Sequence, residues 1–435
     1  MARRAELFDR AVTDTIFAVS SGSPPAAIAV IRLSGPRALA AARHLAGALP
    51  PPRQTGLRKL RSATGEVLDE ALVLTFSGPA SATGEDCAEL HCHGGRAVIA
   101  AVCEELASQP GLRAAEAGEF TRRAFANGRI DLAQAESLGD LLAAETELQR
   151  RVAQAGIGGA LSLEIERWRG EVLALSAMVE AALDFADEDD ADTLPEDFAT
   201  RREALWSEIA GALSRPRAER LREGVRVVLA GPPNSGKSSL FNALIGDGAA
   251  IVSPLEGTTR DVLERPIAFG GVPFVLVDTA GLRSSGAGEI EAIGIERAQE
   301  QMARSDIVLW LGLEGAGPEG SVDVQSRSDH PDRVEKRAPD HVVSSTTGAG
   351  LRELEADLVA RAGKLLPKPG EASINARQAA LLEECVGALS ADSFGDLLLI
   401  AESLRIARSA FDRLLGRAGV EDMLDTLFSR FCIGK

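Results

Sequence analysis

A chain of 435 residues is longer than one ordinary domain and implies two or three. Its 47 basic and 64 acidic side chains leave a net charge of −17, which excludes a surface that holds nucleic acid by bulk attraction; any RNA contact must be local or borrowed from a partner. Cys87, Cys92, Cys103, Cys385 and Cys432 form no regular framework, the start MARRAELFDRAVTD has no apolar leader core, and no run reaches the ~18 apolar residues of a membrane span, so a soluble, cytoplasmic protein without disulfides is expected.

Residues 1–118 alternate β-rich runs (IAVIRL at 28–33, ALVLTF at 71–76) with Ala-rich helical stretches, which predicts an α/β module. Within it, HCHGG (91–95) suggests a metal site. Yet His91, Cys92 and His93 are adjacent on a strand and point to opposite faces, so a structural or hydrogen-bonding role is preferred over zinc, and Cys92 and Cys103 read as core. Arg32 and Glu89 lie in strand-like runs, where an inward charge needs a partner or a ligand.

From 119 to 222 helical patterns dominate. Leu161, Ile165, Trp168, Val172, Leu175 and Val179 recur every three or four residues and place one apolar stripe on a helix, before the acidic run DFADEDDAD (184–192) breaks the pattern as a solvated loop. Residues 223–368 change character: VRVVLAG, VPFVLVD and DIVLWLG are buried-strand runs that alternate with helical segments, as βαβ units do. Residues 369–435 return to helix, with Leu397, Ala401, Leu404, Ala407, Phe411 and Leu414 at helical spacing. The expected architecture is therefore multidomain, α/β plus all-α, with an α/β domain inserted into a helical one.

The inserted segment carries a phosphate site. Gly231-x4-Gly236-Lys237-Ser238 follows a strand and opens a helix, so that backbone N–H groups around Asn234, Ser235, Gly236 and Ser239 face the phosphates, Lys237 reaches the β and γ oxygens, and the Ser238 hydroxyl ligates Mg²⁺. Forty residues on comes Asp278-Thr279-Ala280-Gly281, where Asp278 can hold Mg²⁺ through water and the Gly281 N–H can sense a γ-phosphate. Between them lies Gly257-Thr258-Thr259-Arg260-Asp261, whose Thr259 can close over the metal. This order is that of a GTPase switch domain, except that Leu282 stands where the usual water-orienting Gln would be.

In these motifs, and in DTIFAVSS, IAVIRLSGP, ATGEDCAELHCHGG, AGEFTRRAFANGRIDLAQAESLGDLLAAET and the terminal CIGK, the sequence resembles the MnmE (TrmE) family of tRNA-modification GTPases over nearly its whole length. The resemblance implies a K⁺ ion held by Asn234 with Ser253, Leu255 and Thr258, supplying the charge of an arginine finger. It also implies that Glu291 orients the attacking water; read on its own, Glu291 is a solvated carboxylate at a helix start. The guanine-loop pattern Asn-Lys-x-Asp appears as Ser326-Arg327-Ser328-Asp329, in a stretch (SVDVQSRSD) that reads as a poor buried strand, and Ser344-Ser345-Thr346 resembles the last guanine-loop motif.

By the same resemblance, the N-terminal domain binds a tetrahydrofolate derivative, 5-formyl or methylene, at a dimer interface through Arg32, Glu89, Arg129 and Lys435. A carboxylate suits pterin N–H groups and cations suit a glutamyl tail. The terminal Cys-Ile-Gly-Lys is brought towards that pocket, and Cys432 reads either as a nucleophile that activates a uridine ring or as a packed apolar thiol. The implied protein is a homodimeric, K⁺-stimulated, Mg²⁺-dependent GTPase. With an FAD/NADH-dependent partner of the MnmG (GidA) family, it installs an aminomethyl-type (carboxymethylaminomethyl) group at C5 of the tRNA wobble uridine. The competing reading is a regulatory or ribosome-assembly GTPase switch that binds RNA without modifying it.

Overall fold

The computed structural model describes residues 14–184, 194–247, 263–279, 299–331, 333, 335–368, 370–371, 373–390, 396–418, 421–429 and 431–435. The chain divides into two compact units, residues 1–139 with 412–435 and residues 140–411.

The first unit opens with β1 (Thr15–Val19), β2 (Ile28–Ser34), α1 (Ala38–Ala46), β3 (Gly56–Arg61), β4 (Val67–Phe76), β5 (Cys87–His93), α2 (Arg96–Ala107), β6 (Leu112–Ala114), α3 (Glu119–Ala126) and α4 (Leu132–Ala143). Its sheet runs β3-β4-β5-β2-β1-β6, antiparallel except for β1 with β6. Alternate residues of the strands, among them Ile31, Leu33, Leu60, Val73, Leu90 and Cys92, point to one face and form a core with Ala41, Leu45, Val102 and Leu106 of α1 and α2. A buried side chain of this size contributes about 1.5–3 kcal/mol. Burial pushes the Cys92 thiol up to about 12, with Asp69 and Cys103 adding to the shift, so it packs as an inert thiol.

The second unit begins with α5 (Glu147–Ile157), α6 (Ala160–Asp184), α7 (Phe198–Leu213) and α8 (Ala218–Glu223). The six strands β7 (Val225–Ala230), β8 (Leu263–Phe269), β9 (Val272–Asp278), β10 (Ile307–Trp310), β11 (Val322–Gln325) and β12 (His341–Val342) follow, with α9 (Lys237–Asp247) after β7 and α10 (Leu351–Ala362) after β12. Then come α11 (Ala376–Ser390), α12 (Leu397–Leu414) and, back in the first unit, α13 (Glu421–Phe428). The predicted stripe lies on α6 with all six members buried, and Trp168 meets Phe411 of α12 with ring centroids 6.3 Å apart. On α12, Leu404, Ala407, Phe411 and Leu414 are buried. The acidic run lies, after its first residue, outside the described residues apart from that residue, Asp184.

The second sheet runs β12-β11-β10-β7-β9-β8, parallel except for β8 against β9. Parallel strands buried on both faces explain the continuous apolar runs of β7 and β9. The stretch around 322–325 departs from expectation. It forms β11 between β10 and β12, with Val322 and Val324 fully buried. The charge that made it read as a poor strand is neutralised locally, because Asp323 pairs with the buried Lys336 ammonium. A helix from earlier in the chain also joins this core: Val152 of α5 packs among its side chains, and the Leu148 N–H donates to the Gly271 carbonyl at the β8–β9 turn (3.0 Å).

Candidate functional site

The phosphate loop spans the end of β7 and the start of α9. Gly231 has φ +145°, and a Cβ there would stand 3.0 Å from the Gly312 nitrogen, so the close passage of the loop past the end of β10 requires glycine. Asn234 takes the left-handed conformation at φ +61°, which a short amide tolerates. Lys237, 6% exposed, curls back so that its ammonium donates to the carbonyls of Gly231 (3.0 Å) and Pro232 (2.7 Å). The Ser238 hydroxyl donates to Asp278 Oδ2 at 2.8 Å, and Thr279 Oγ1 donates to the Leu229 carbonyl at 2.8 Å, which ties the end of β9 to β7. Ser239 lies exposed in the first turn of α9.

The site fits a nucleotide with its metal. Ser238 and Asp278 place two hard oxygens 2.8 Å apart, the donor type that Mg²⁺ takes. The Ser235 hydroxyl is buried in the loop with no hydrogen-bond partner among the described residues, a costly arrangement that a ligand oxygen would relieve.

The segment expected to form the guanine loop reaches the same place. Ser326 Oγ donates to the Ser235 carbonyl (2.5 Å) and Arg327 Nη1 donates to the Asn234 carbonyl (3.3 Å), so both residues strap the phosphate loop from the side. A cavity of about 180 Å³ lies there, lined by Pro232–Ser235, Leu311–Leu313, Val324–Arg327, Arg333 and Lys336. Asp329 accepts from the Ser344 hydroxyl at 2.7 Å, and that bond, helped by backbone and Thr346 donors, holds its carboxyl below the usual range. Ser344 Oγ also accepts from the Thr346 N–H (3.3 Å), so Asp329, Ser344, Ser345 and Thr346 form one compact turn region after β11 and β12. Of the remaining expected positions, Ser253, Leu255, Gly257, Thr258, Thr259, Ala280, Gly281 and Glu291 lie outside the described residues.

The second candidate site is in the first unit. Arg32 of β2 and Glu89 of β5 are register partners, and Arg32 Nε lies 3.0 Å from Glu89 Oε1. Each is the partner that the other's strand position demanded. The second oxygen of Glu89 meets His91 Nε2 at 3.3 Å, and the Phe120 ring of α3 lies 5.8 Å from the Arg32 guanidinium. Arg129 is exposed beyond α3, its stem against Gly84. The tail is pinned. Ile433 bridges to Ala117, Ser20 Oγ donates to the Gly434 carbonyl (2.9 Å), and a Cβ on Gly434 (φ +94°) would come within 2.4 Å of the Val19 carbonyl. Lys435 thus ends beside β1, the strand on which Ala18 faces Arg32 in register. Cys432 is exposed, which does not agree with the packed-thiol reading.

Sequence reasoning missed the network behind this site. Arg123 of α3, 2% exposed, binds Asp14 Oδ1 (2.7 Å) and both oxygens of Glu85 (3.2 and 3.1 Å), while Ser34 Oγ donates to Glu85 Oε2 (2.6 Å). Asn127 Nδ2 donates to the Thr83 carbonyl at 2.7 Å, so α3 holds the loop before β5 from two points. The signal was present: Arg123 sits three residues after Phe120 on the buried face of an amphipathic helix.

Two family models match the chain, the MnmE helical domain over residues 132–432 and the GTP-binding protein TrmE N-terminus over residues 15–129. Among curated relatives, the tRNA modification GTPase MnmE of Erythrobacter litoralis is 60% identical over 423 residues, covering 97% of this chain and 100% of that protein. The protein of the same description from Novosphingobium aromaticivorans is 56% identical, covering 98% and 100%. A matching solved structure, the G domain of the T. maritima FeoB iron transporter, is 28% identical over 32% of this chain and 98% of that one, with a TM-score of 0.23.

Proposed function

The chain belongs to the MnmE family of tRNA modification GTPases, and from that premise we propose that it hydrolyses GTP to support modification of the tRNA wobble uridine at C5. The observation that carries this reading is the Ser238–Asp278 contact at the end of a loop strapped by Ser326 and Arg327, in which the Ser235 hydroxyl is buried without a partner among the described residues. In this reading Lys237 leaves its own loop carbonyls for the phosphates, and Ser238 and Thr259, with Asp278 acting through water, hold Mg²⁺. Asn234, with Ser253, Leu255 and Thr258, holds K⁺. The two cations supply the positive charge that the transferring phosphoryl group needs. Glu291 orients the water, and Asp329, kept ionised by Ser344, accepts from the guanine edge.

The same reading assigns Arg32, Glu89, Arg129 and Lys435 to a tetrahydrofolate derivative, supported by the Arg32–Glu89 pair and by the tail docked on β1. It further includes a homodimer, a flavoprotein partner of the MnmG family, a cytoplasmic location, and the division 1–118, 119–222, 223–368 and 369–435. Exposed Cys432 is available as a nucleophile. Among the described residues, no helix is long and apolar enough to cross a membrane.

The deciding experiment is GTP turnover in K⁺ against Na⁺. K⁺ should accelerate the wild type, and Asn234→Ala should abolish the difference while retaining basal turnover. Equal rates in the two salts for the wild type would remove the K⁺ assignment.

A further inference from the structure

Although 64 of the 435 residues are acidic, residues 15–65 contain no Asp or Glu and seven Arg or Lys. Four of these cations, Arg53, Arg58, Lys59 and Arg61, lie on or beside β3, which is the outer strand of the first sheet. Their partners leave most of that charge uncompensated. Arg53 donates to the Ala80 carbonyl (2.5 Å), Arg58 to the carbonyls of Ala48 (2.6 Å) and Leu57 (2.8 Å), and Arg61 to the Gly65 carbonyl (2.9 Å). Among the described residues no carboxylate pairs with any of these three guanidinium groups. The nearby acids are few: Glu70 faces Lys59 in register, Asp69 is taken by His93 at 2.7 Å, Glu66 lies in the β3–β4 turn, and Glu105 accepts from the Ala63 N–H (3.1 Å) and lies 3.4 Å from His44 Nε2.

We propose that this cationic edge is the local RNA contact that an acidic chain requires, binding the phosphate backbone of tRNA. The inference rests on the tRNA reading above and adds the surface. Arg58, Lys59 and Arg61 lie on the extended strand, Arg58 and Arg61 roughly 10 Å apart along it, and Arg53 adds its charge from the turn just before. Hydrogen bonds to carbonyls fix each guanidinium plane without neutralising it, which suits the forked recognition of phosphate. A protein lacking bulk attraction can still gain RNA affinity from such a strip, because each neutralised phosphate releases counterions.

The test is titration of tRNA with the full-length protein over a range of salt concentrations. Replacing Arg53, Arg58 and Arg61 together by Gln should weaken binding at low salt at least about tenfold and make the plot of log affinity against log salt shallower by about two units. The corresponding Arg→Lys triple variant should keep the wild-type slope, and basal GTP turnover should be unchanged in both. Unaltered affinity and slope in the Gln variant would overturn the proposal. So would unaltered tRNA binding with new self-association, since the cations would then only guard a sheet edge, or loss of affinity for the flavoprotein partner alone. A wild type that takes up no tRNA even at low salt would instead remove the tRNA reading itself.

Discussion

Ser326 stands where the resembling motif has an amide, and its hydroxyl bonds the Ser235 carbonyl, holding the phosphate loop from the side. A hydrogen bond of this kind contributes about 1 kcal/mol, so Ser326→Ala should weaken GDP affinity several-fold, measured by titration with a fluorescent analogue. Unchanged affinity would show that the loop does not depend on this strap. In the first unit, burial opposes ionisation of Asp14 and Glu119, but hydrogen bonds from Arg113 and the charge of Arg123 outweigh it, and both carboxyls titrate below their ordinary values. Groups with lowered folded values stabilise the native state above their unfolded values of 3.8 and 4.5, and that stability is lost as pH falls through the folded values. Arg113→Gln should therefore move acid unfolding of this unit to higher pH, read by hydrogen exchange in β1 and α3; an unmoved transition would show that the pairs contribute nothing.

At the scale of elements, α3 organises the first unit. Its inner face carries Phe120 against Arg32 and Arg123 against Glu85, and its N-terminal flank receives the C-terminal segment. That docking depends on two glycines in the left-handed region. A Cβ on Gly118 (φ +68°) would stand 2.3 Å from the Phe428 carbonyl, and one on Gly434 would strike Val19. Gly434→Ala should cost more than about 1 kcal/mol of tail docking, seen as faster hydrogen exchange at 431–435, and should weaken binding of a tetrahydrofolate derivative with GTP turnover preserved. If the tail loosens while folate affinity holds, Lys435 is not a folate ligand. In the second unit, α5 adds Val152 to the core of the P-loop sheet. The sequence offers little sign of this, because an apolar stripe states that a helix has a partner without stating which.

For the whole molecule, the function predicts that a strain lacking this chain loses the wobble modification, that wild type restores it, and that Lys237→Ala does not; mass spectrometry of tRNA nucleosides reads this. A regulatory switch would leave the nucleosides unchanged. What the sequence by itself determined is chemistry carried by neighbouring residues: the glycine spacing that wraps a phosphate, the lysine and serine that follow it, and the stripe on α6. Local geometry follows from local residues, so these survive without knowledge of the fold. Only tertiary structure could decide the rest. Arg32 and Glu89 pair because two antiparallel strands adopt one register across 57 positions, Asp323 is tolerated in a buried strand because Lys336 reaches it, and Ser20 meets Gly434 across 414. Such contacts depend on how distant segments pack, and no short stretch of sequence specifies that.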